Sequence, residues 1–165
     1  MGFDDGLILH LEALVHSLDK NTDTPIDLYI IYASLTAESI SRVKFINDKL
    51  EAVTLILRPI PKESRQFIEN INMDKARLPI GTYFRIIVPE VLTDLERVIY
   101  LDTDMVVNAS LTPLWQTPLE GNFINLGRDT SGFNHWRDSP HFRFVRIYFL
   151  PFRLLMLCIY RTKVL

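Results

Sequence analysis

The chain carries one cysteine, Cys158, in 165 residues. That excludes an internal disulfide framework and fits a reducing compartment. Glycine is scarce, at six residues, and forms no G-x-G-x-x-G or P-loop pattern. A glycine-rich phosphate cradle is therefore not expected. The formal net charge of only −2 gives no electrostatic reason to expect a nucleic-acid partner. No basic stretch followed by an apolar run opens the chain, because Asp4 and Asp5 intervene; without a secretory signal, a cytoplasmic location is expected. Metal-binding histidine patterns are missing too. His10 and His16 lie six apart, which is not a ligand spacing on a helix, and His135 and His141 have no partner pattern. Acidic residues are absent after Asp138.

What remains is a globular composition, with 48% hydrophobic and 23% charged residues, in a chain long enough for one domain with a real core. Leu7, Leu11, Leu14, Val15 and Leu18 recur at helical spacing. Asn21-Thr22-Asp23-Thr24-Pro25 reads as a loop. Leu28 to Tyr32 is a short run of strand formers and predicts a buried strand. Thr36 can cap a second helix with an inner face of Ile40, Val43, Ile46 and Leu50. Val53 to Leu57 predicts the next strand, closed by Pro59 and Pro61. Residues 62–80 give no clear periodicity. Thr82 to Val88 predicts a helix stopped near Pro89. Val98 to Leu101 predicts a strand, Ser110 to Trp115 a short helical turn, and Asn122 to Leu126 another strand. Alternating strands and helices predict an α/β class with a mostly parallel sheet.

The most informative segment is Val98-Ile99-Tyr100-Leu101-Asp102-Thr103-Asp104. An apolar strand ending in Asp-x-Asp sets two carboxylates at the carboxyl edge of a sheet, where open α/β sheets bind ligands. Acids at that spacing can share a hard divalent cation, and such a cation suits phosphate oxygens. A polar turn after a buried strand is the plainer reading. Asp4-Asp5-Gly6 precedes the first helix. Its carboxylates can accept hydrogen bonds from ribose or a base, or can serve as a helix N-terminus. Arg85 is a cation in an apolar helix. It can bind diphosphate or pair with one of the acids, or can snorkel to the surface. Asp129 follows a predicted strand and can reach the same cleft, or can be a loop residue. Cys158 has no neighbouring ligand type and reads as a packing residue.

These pieces together resemble glycosyltransferase family 8, which includes bacterial lipopolysaccharide galactosyl- and glucosyltransferases and is related to glycogenin. Asp4-Asp5-Gly6 is similar to the family's opening. Thr82-Tyr83-Phe84-Arg85 resembles its Thr-Tyr-x-Arg segment, and Arg97 to Val107 resembles its metal-binding strand. Leu111-Thr112-Pro113-Leu114-Trp115 matches its Leu-x-x-Leu-Trp turn. The resemblance runs from residue 3 to about residue 130.

It implies a GT-A (Rossmann-like) nucleotide-diphospho-sugar transferase fold, truncated, and hexose transfer from a UDP-sugar with retention at the anomeric carbon. The implied acceptor is a lipopolysaccharide or other cell-surface glycan or glycolipid. Asp102 and Asp104 would hold Mn²⁺ or Mg²⁺ on the donor diphosphate, with Thr103 between them. Asp4, Asp5 and Gly6 would lie at the uridine, Arg85 at phosphate or sugar, and Asp129 at sugar hydroxyls. The family's downstream Asn-x-Gly-Val-Leu segment, Asp-Gln pair and His-x-x-Gly-x-x-Lys-Pro-Trp do not occur. No residue is therefore assigned to the reacting face.

Residues 1–138 are expected to form an incomplete nucleotide-sugar domain and residues 139–165 a tail outside the family. The first part has 13 basic residues against 20 acids, and the tail has five basic residues and no acid. A shift of reading frame would switch composition in this way. If so, a one-base correction of the coding DNA restores the family's next segment. A membrane-surface segment is the rival reading of the tail, which would add peripheral association with the inner face of the membrane. Two other functional readings stand beside the transferase. A haloacid-dehalogenase-type phosphotransferase would use Asp102 as nucleophile and Asp104 as general acid/base. A non-enzymatic remnant would bind nucleotide weakly or fold poorly.

Overall fold

The computed structural model describes residues 1–70, 80–118, 124–126 and 158–161. The elements run β1 (Gly2–Phe3), α1 (Ile8–Asn21), β2 (Ile26–Tyr32), α2 (Ala37–Asn47), β3 (Val53–Pro59), α3 (Lys62–Asn70), α4 (Val88–Val91), β4 (Arg97–Tyr100), α5 (Thr112–Trp115), β5 (Ile124–Leu126) and β6 (Cys158–Arg161). Two 3₁₀ segments, Asp5–Leu7 and Ile80–Ile87, lead into α1 and α4. Strands β1, β2 and β3 form a parallel ladder in that order. A second ladder, β4-β6-β5, is antiparallel. The α/β class with a parallel sheet and flanking helices is as the alternation of patterns predicts.

The parallel ladder is covered on both faces, as its near-continuous apolar strands require. On one face Leu28 and Ile30 pack with Leu11, Leu14, Val15 and Leu18 of α1 and with Val43 and Ile46 of α2. Leu11, Leu14 and Val15 are fully enclosed, each stabilising the fold by about 2 kcal/mol through burial. On the other face Ile31 packs with Phe84, Ile87, Val88, Leu92 and Tyr100. Side chains alternate across a strand, so β2 feeds both cores.

Loop joints are tied by side chains. Thr36 caps α2, its hydroxyl accepting from the Ser39 N–H. Asp19, at the end of α1, accepts backbone N–H bonds from Glu51, Ala52 and Val53 at 2.8–3.2 Å and so fixes the entry to β3. Asp23 accepts from the hydroxyls of Ser110 and Thr112, both at 2.7 Å, and anchors α5.

Two elements differ from the sequence expectation. Helical structure does not stop at Pro89. The 3₁₀ segment ends at Ile87, and Pro89 stands in the first turn of α4; proline is tolerated there because its missing N–H would have had no partner. Lys62–Asn70, left unassigned above, is helical. The tail contributes β6, which lies between β4 and β5. Among the described residues no helix is long and apolar enough to cross a membrane.

Candidate nucleotide-sugar site

Asp4 and Asp5 leave the carboxyl end of β1, and Asp102 to Asp104 leave the carboxyl end of β4. The two exits are braced together. The buried Thr103 hydroxyl donates to the Gly2 carbonyl at 2.9 Å, and the Gly2 N–H donates to the Tyr100 hydroxyl at 3.2 Å. Both strand ends therefore open onto one edge. Thr103, the middle residue of Asp-x-Asp, is turned inward as the brace, while Asp104 is exposed and Asp102 half-buried.

Arg85 meets Asp102. Its guanidinium donates to Oδ1 at 3.2 Å, with the two side chains only 18% and 17% exposed. The 3₁₀ segment sets this up by burying Phe84 and Ile87 and leaving Arg85 at its margin. The guanidinium also lies 5.6 Å from the centre of the Tyr100 ring, where a cation is attracted to the ring face. The Asp102 N–H reaches Met105 Sδ at 3.1 Å. The Met1 amine donates to the Tyr29 carbonyl at 3.0 Å. Burial holds this amine down to about 5, against the attraction of the Asp102 charge.

The opening acids have local partners. Asp4 accepts from the Gly6 N–H at 2.9 Å and caps the first 3₁₀ turn. A Cβ on Gly6 would stand 3.3 Å from that carboxylate, so the tight approach favours glycine. Asp5 accepts from both the N–H and the hydroxyl of Thr36, each at 3.0 Å. The Ser39 hydroxyl and the Thr36 N–H hold its carboxyl below the usual range. Both acids remain exposed at the edge.

Arg85, Asp102 and Thr103 are thus linked through Tyr100 and Gly2. Asp4, Asp5, Gly6 and Asp104 flank them. Asp129 lies outside the described residues. Tyr100, Thr36 and Met105 join the site without having been read as site residues in the sequence. Thr36 was legible only as a helix cap, and nothing in local sequence marks Tyr100 as a brace.

Among the described residues no three or more His, Cys, Asp or Glu side chains gather as a metal-holding group. The available donors are the carboxylates of Asp102 and Asp104. Hard oxygen donors of this kind suit Mg²⁺ or Mn²⁺ when substrate phosphates and water complete the shell. Asp102 and Asp104 could supply two of those donors. A cavity of about 510 Å³ lies elsewhere, between β2 and β4, and its lining is mostly apolar. It includes none of Asp4, Asp5, Asp102 and Asp104.

Comparison with known proteins bears on the family and the fold. Glycosyltransferase GlyF of Streptococcus pneumoniae is 29% identical over 139 residues, covering 79% of this chain and 33% of GlyF. A Haemophilus influenzae relative is 23% identical over 121 residues, covering 73% of this chain and 36% of the relative. The chain therefore spans about a third of the length of these relatives. Among solved structures, galactosyltransferase LgtC, in complex with donor and acceptor sugar analogues, superposes with a TM-score of 0.69 at 22% identity. That match covers 98% of this chain and 56% of LgtC. The fold is GT-A. The model of "Glycosyl transferase family 8" matches residues 1–147, and the chain belongs to that family.

Proposed function

We propose that this chain carries the donor-binding part of a metal-dependent hexosyltransferase that takes its sugar from UDP-hexose, with retention, for a glycan or glycolipid acceptor. The observation that carries the reading is the Arg85–Asp102 pair at the carboxyl edge of β4, with Asp104 two residues on and Asp4 and Asp5 at the adjoining strand end. A divalent ion bound by Asp102 and Asp104 would neutralise charge on the departing diphosphate. Arg85 would exchange part of its contact with Asp102 for a phosphate oxygen, which its planar fork suits. Asp5, held ionised by Thr36 and Ser39, would accept hydrogen bonds from ribose hydroxyls or the base. Thr103 keeps the two acidic strand ends in register by its bond to Gly2. Asp129 would hold sugar hydroxyls.

Calorimetric titration with UDP, with and without Mn²⁺, tests this. Metal-dependent binding that is lost in Asp102→Asn and Asp104→Asn is expected. Equal binding with and without metal contradicts the reading, as does phosphatase turnover without nucleotide preference.

A further inference from the structure

The two acids of Asp-x-Asp do not stand in a strand. β4 ends at Tyr100, and among the described residues Asp102 to Asn108 pair in neither ladder. The segment nevertheless alternates as a strand does. Thr103, Met105 and Val107 are buried, while Asp104, Val106 and Asn108 are exposed. Its enclosed backbone groups must therefore find partners outside a sheet. Those of Val107 find them on α1. The Val107 N–H donates to Ser17 Oγ at 2.9 Å, and Asn21 Nδ2 donates to the Val107 carbonyl at 3.0 Å. Ser17 and Asn21 stand four apart on α1 and so share one face of the helix. A serine inside a helix can return its hydroxyl proton to the preceding turn and do nothing more. Ser17 does return it, to the Leu14 carbonyl at 2.8 Å, and its oxygen still accepts from Val107. The Asn21 amide divides its donors in the same way, one to the Ser17 carbonyl at 2.8 Å and one to Val107.

We propose that Ser17 and Asn21 are positioning residues for the Asp104 carboxylate, a proposal that rests on the donor-site reading above. One turn of α1 offers Val107 both an acceptor and a donor, as a neighbouring strand would. Asp104 is thereby suspended between two fixed points. Thr103, immediately before it, is tied to Gly2 of β1. Val107, three residues after it, is tied to α1. Met105, between the two, is packed into the core that α1 and α2 share with the sheet. Asp104 itself is exposed and has no such packing, so the backbone on either side sets where its carboxylate stands. A carboxylate that must share an ion with Asp102 gains from that restraint, because groups that orient a metal's ligands govern its affinity without touching the ion. The clamp therefore acts at a distance from the donor, through the peptide of Val107.

The test uses the full chain and three variants. Ser17→Ala removes the acceptor for the Val107 N–H, and Asn21→Asp sets a carboxylate against two carbonyls. Val43→Ala, at a buried position on α2, is the control: it loosens the core without removing a Val107 bond. Free Mn²⁺ is read by electron paramagnetic resonance in the presence of UDP. Hydrogen exchange at the Val107 amide is read without ligand. Both are taken below each variant's own melting transition. Ser17→Ala and Asn21→Asp should each weaken Mn²⁺ binding about tenfold, and Val43→Ala should leave it unchanged. Exchange at the Val107 amide should quicken about tenfold in Ser17→Ala, as local opening becomes easier. Unaltered Mn²⁺ binding in both clamp variants overturns the proposal. So does an equal loss in Val43→Ala, which would make the effect one of general stability, or a Val107 amide that exchanges no faster in Ser17→Ala. An unsubstituted chain that binds no Mn²⁺ with UDP overturns the donor-site reading instead, while the Val107 amide still decides whether Ser17 and Asn21 hold the segment.

Discussion

Removing the Arg85 guanidinium should cost about 2 kcal/mol of stability, bracketed by exposed ion pairs at about 0–1 kcal/mol and broken buried pairs at about 3–5. Arg85 and Asp102 are 18% and 17% exposed, between those limits. The contact with the Tyr100 ring at 5.6 Å adds about 0.5–1 kcal/mol, within that figure. For a chain of this length Arg85→Ala should lower Tm by about 4–8 °C. A double-mutant cycle of Arg85→Ala with Asp102→Asn, read by urea unfolding, isolates the pair. Its coupling energy should be about 1 kcal/mol and should largely survive about 0.5 M NaCl, because a half-buried pair is screened less than an exposed one. A coupling energy below about 0.3 kcal/mol refutes the reasoning, since the Arg85–Asp102 contact would then add no net stability.

Other outcomes follow from the same contacts. Asp19→Ala leaves three backbone N–H groups without their carboxylate partner and should cost about 2 kcal/mol in urea unfolding. Burial raises the Asp19 pKa, but the bonds from Ala52, Glu51 and Val53 outweigh it, and the carboxyl ends below its ordinary 3.8. Its contribution is therefore full above about pH 4 and lost as pH falls through the lowered value; Asp19→Asn should flatten that acid limb of a Tm–pH profile. Thr36→Ala removes the α2 cap and the hydroxyl held by Asp5, and should cost about 1 kcal/mol by thermal melting. Leu14→Ala, at a fully enclosed position, should cost about 3 kcal/mol by the same measurement.

The parts of the fold that one face or one cap determines were legible in the sequence. Leu11, Leu14, Val15 and Leu18 recur at helical spacing and are the buried face of α1. Thr36 is the cap expected of it. Pro89 misled because proline ends a helix from the inside but begins one comfortably, and local sequence does not say on which side of a boundary it stands. Lys62–Asn70 was missed because its amphipathic face contains few large apolar residues. For the site, the sequence placed the acids at strand ends but left open whether Arg85 met one of them. That contact depends on how the segment Ile80–Ile87 packs beside β1, which is tertiary information. The Thr103 and Tyr100 bonds to Gly2 span about a hundred residues, and no periodicity reports such a bond.

The central claim is that Asp102 and Asp104 clamp a divalent ion against the diphosphate of a UDP-sugar. Electron paramagnetic resonance of Mn²⁺ titrated with this chain and UDP tests it most directly. Loss of the free Mn²⁺ signal only when UDP is present, and its return in Asp102→Asn and Asp104→Asn, is the predicted result. Mn²⁺ that stays free with UDP, or that binds equally well in both variants, contradicts the claim.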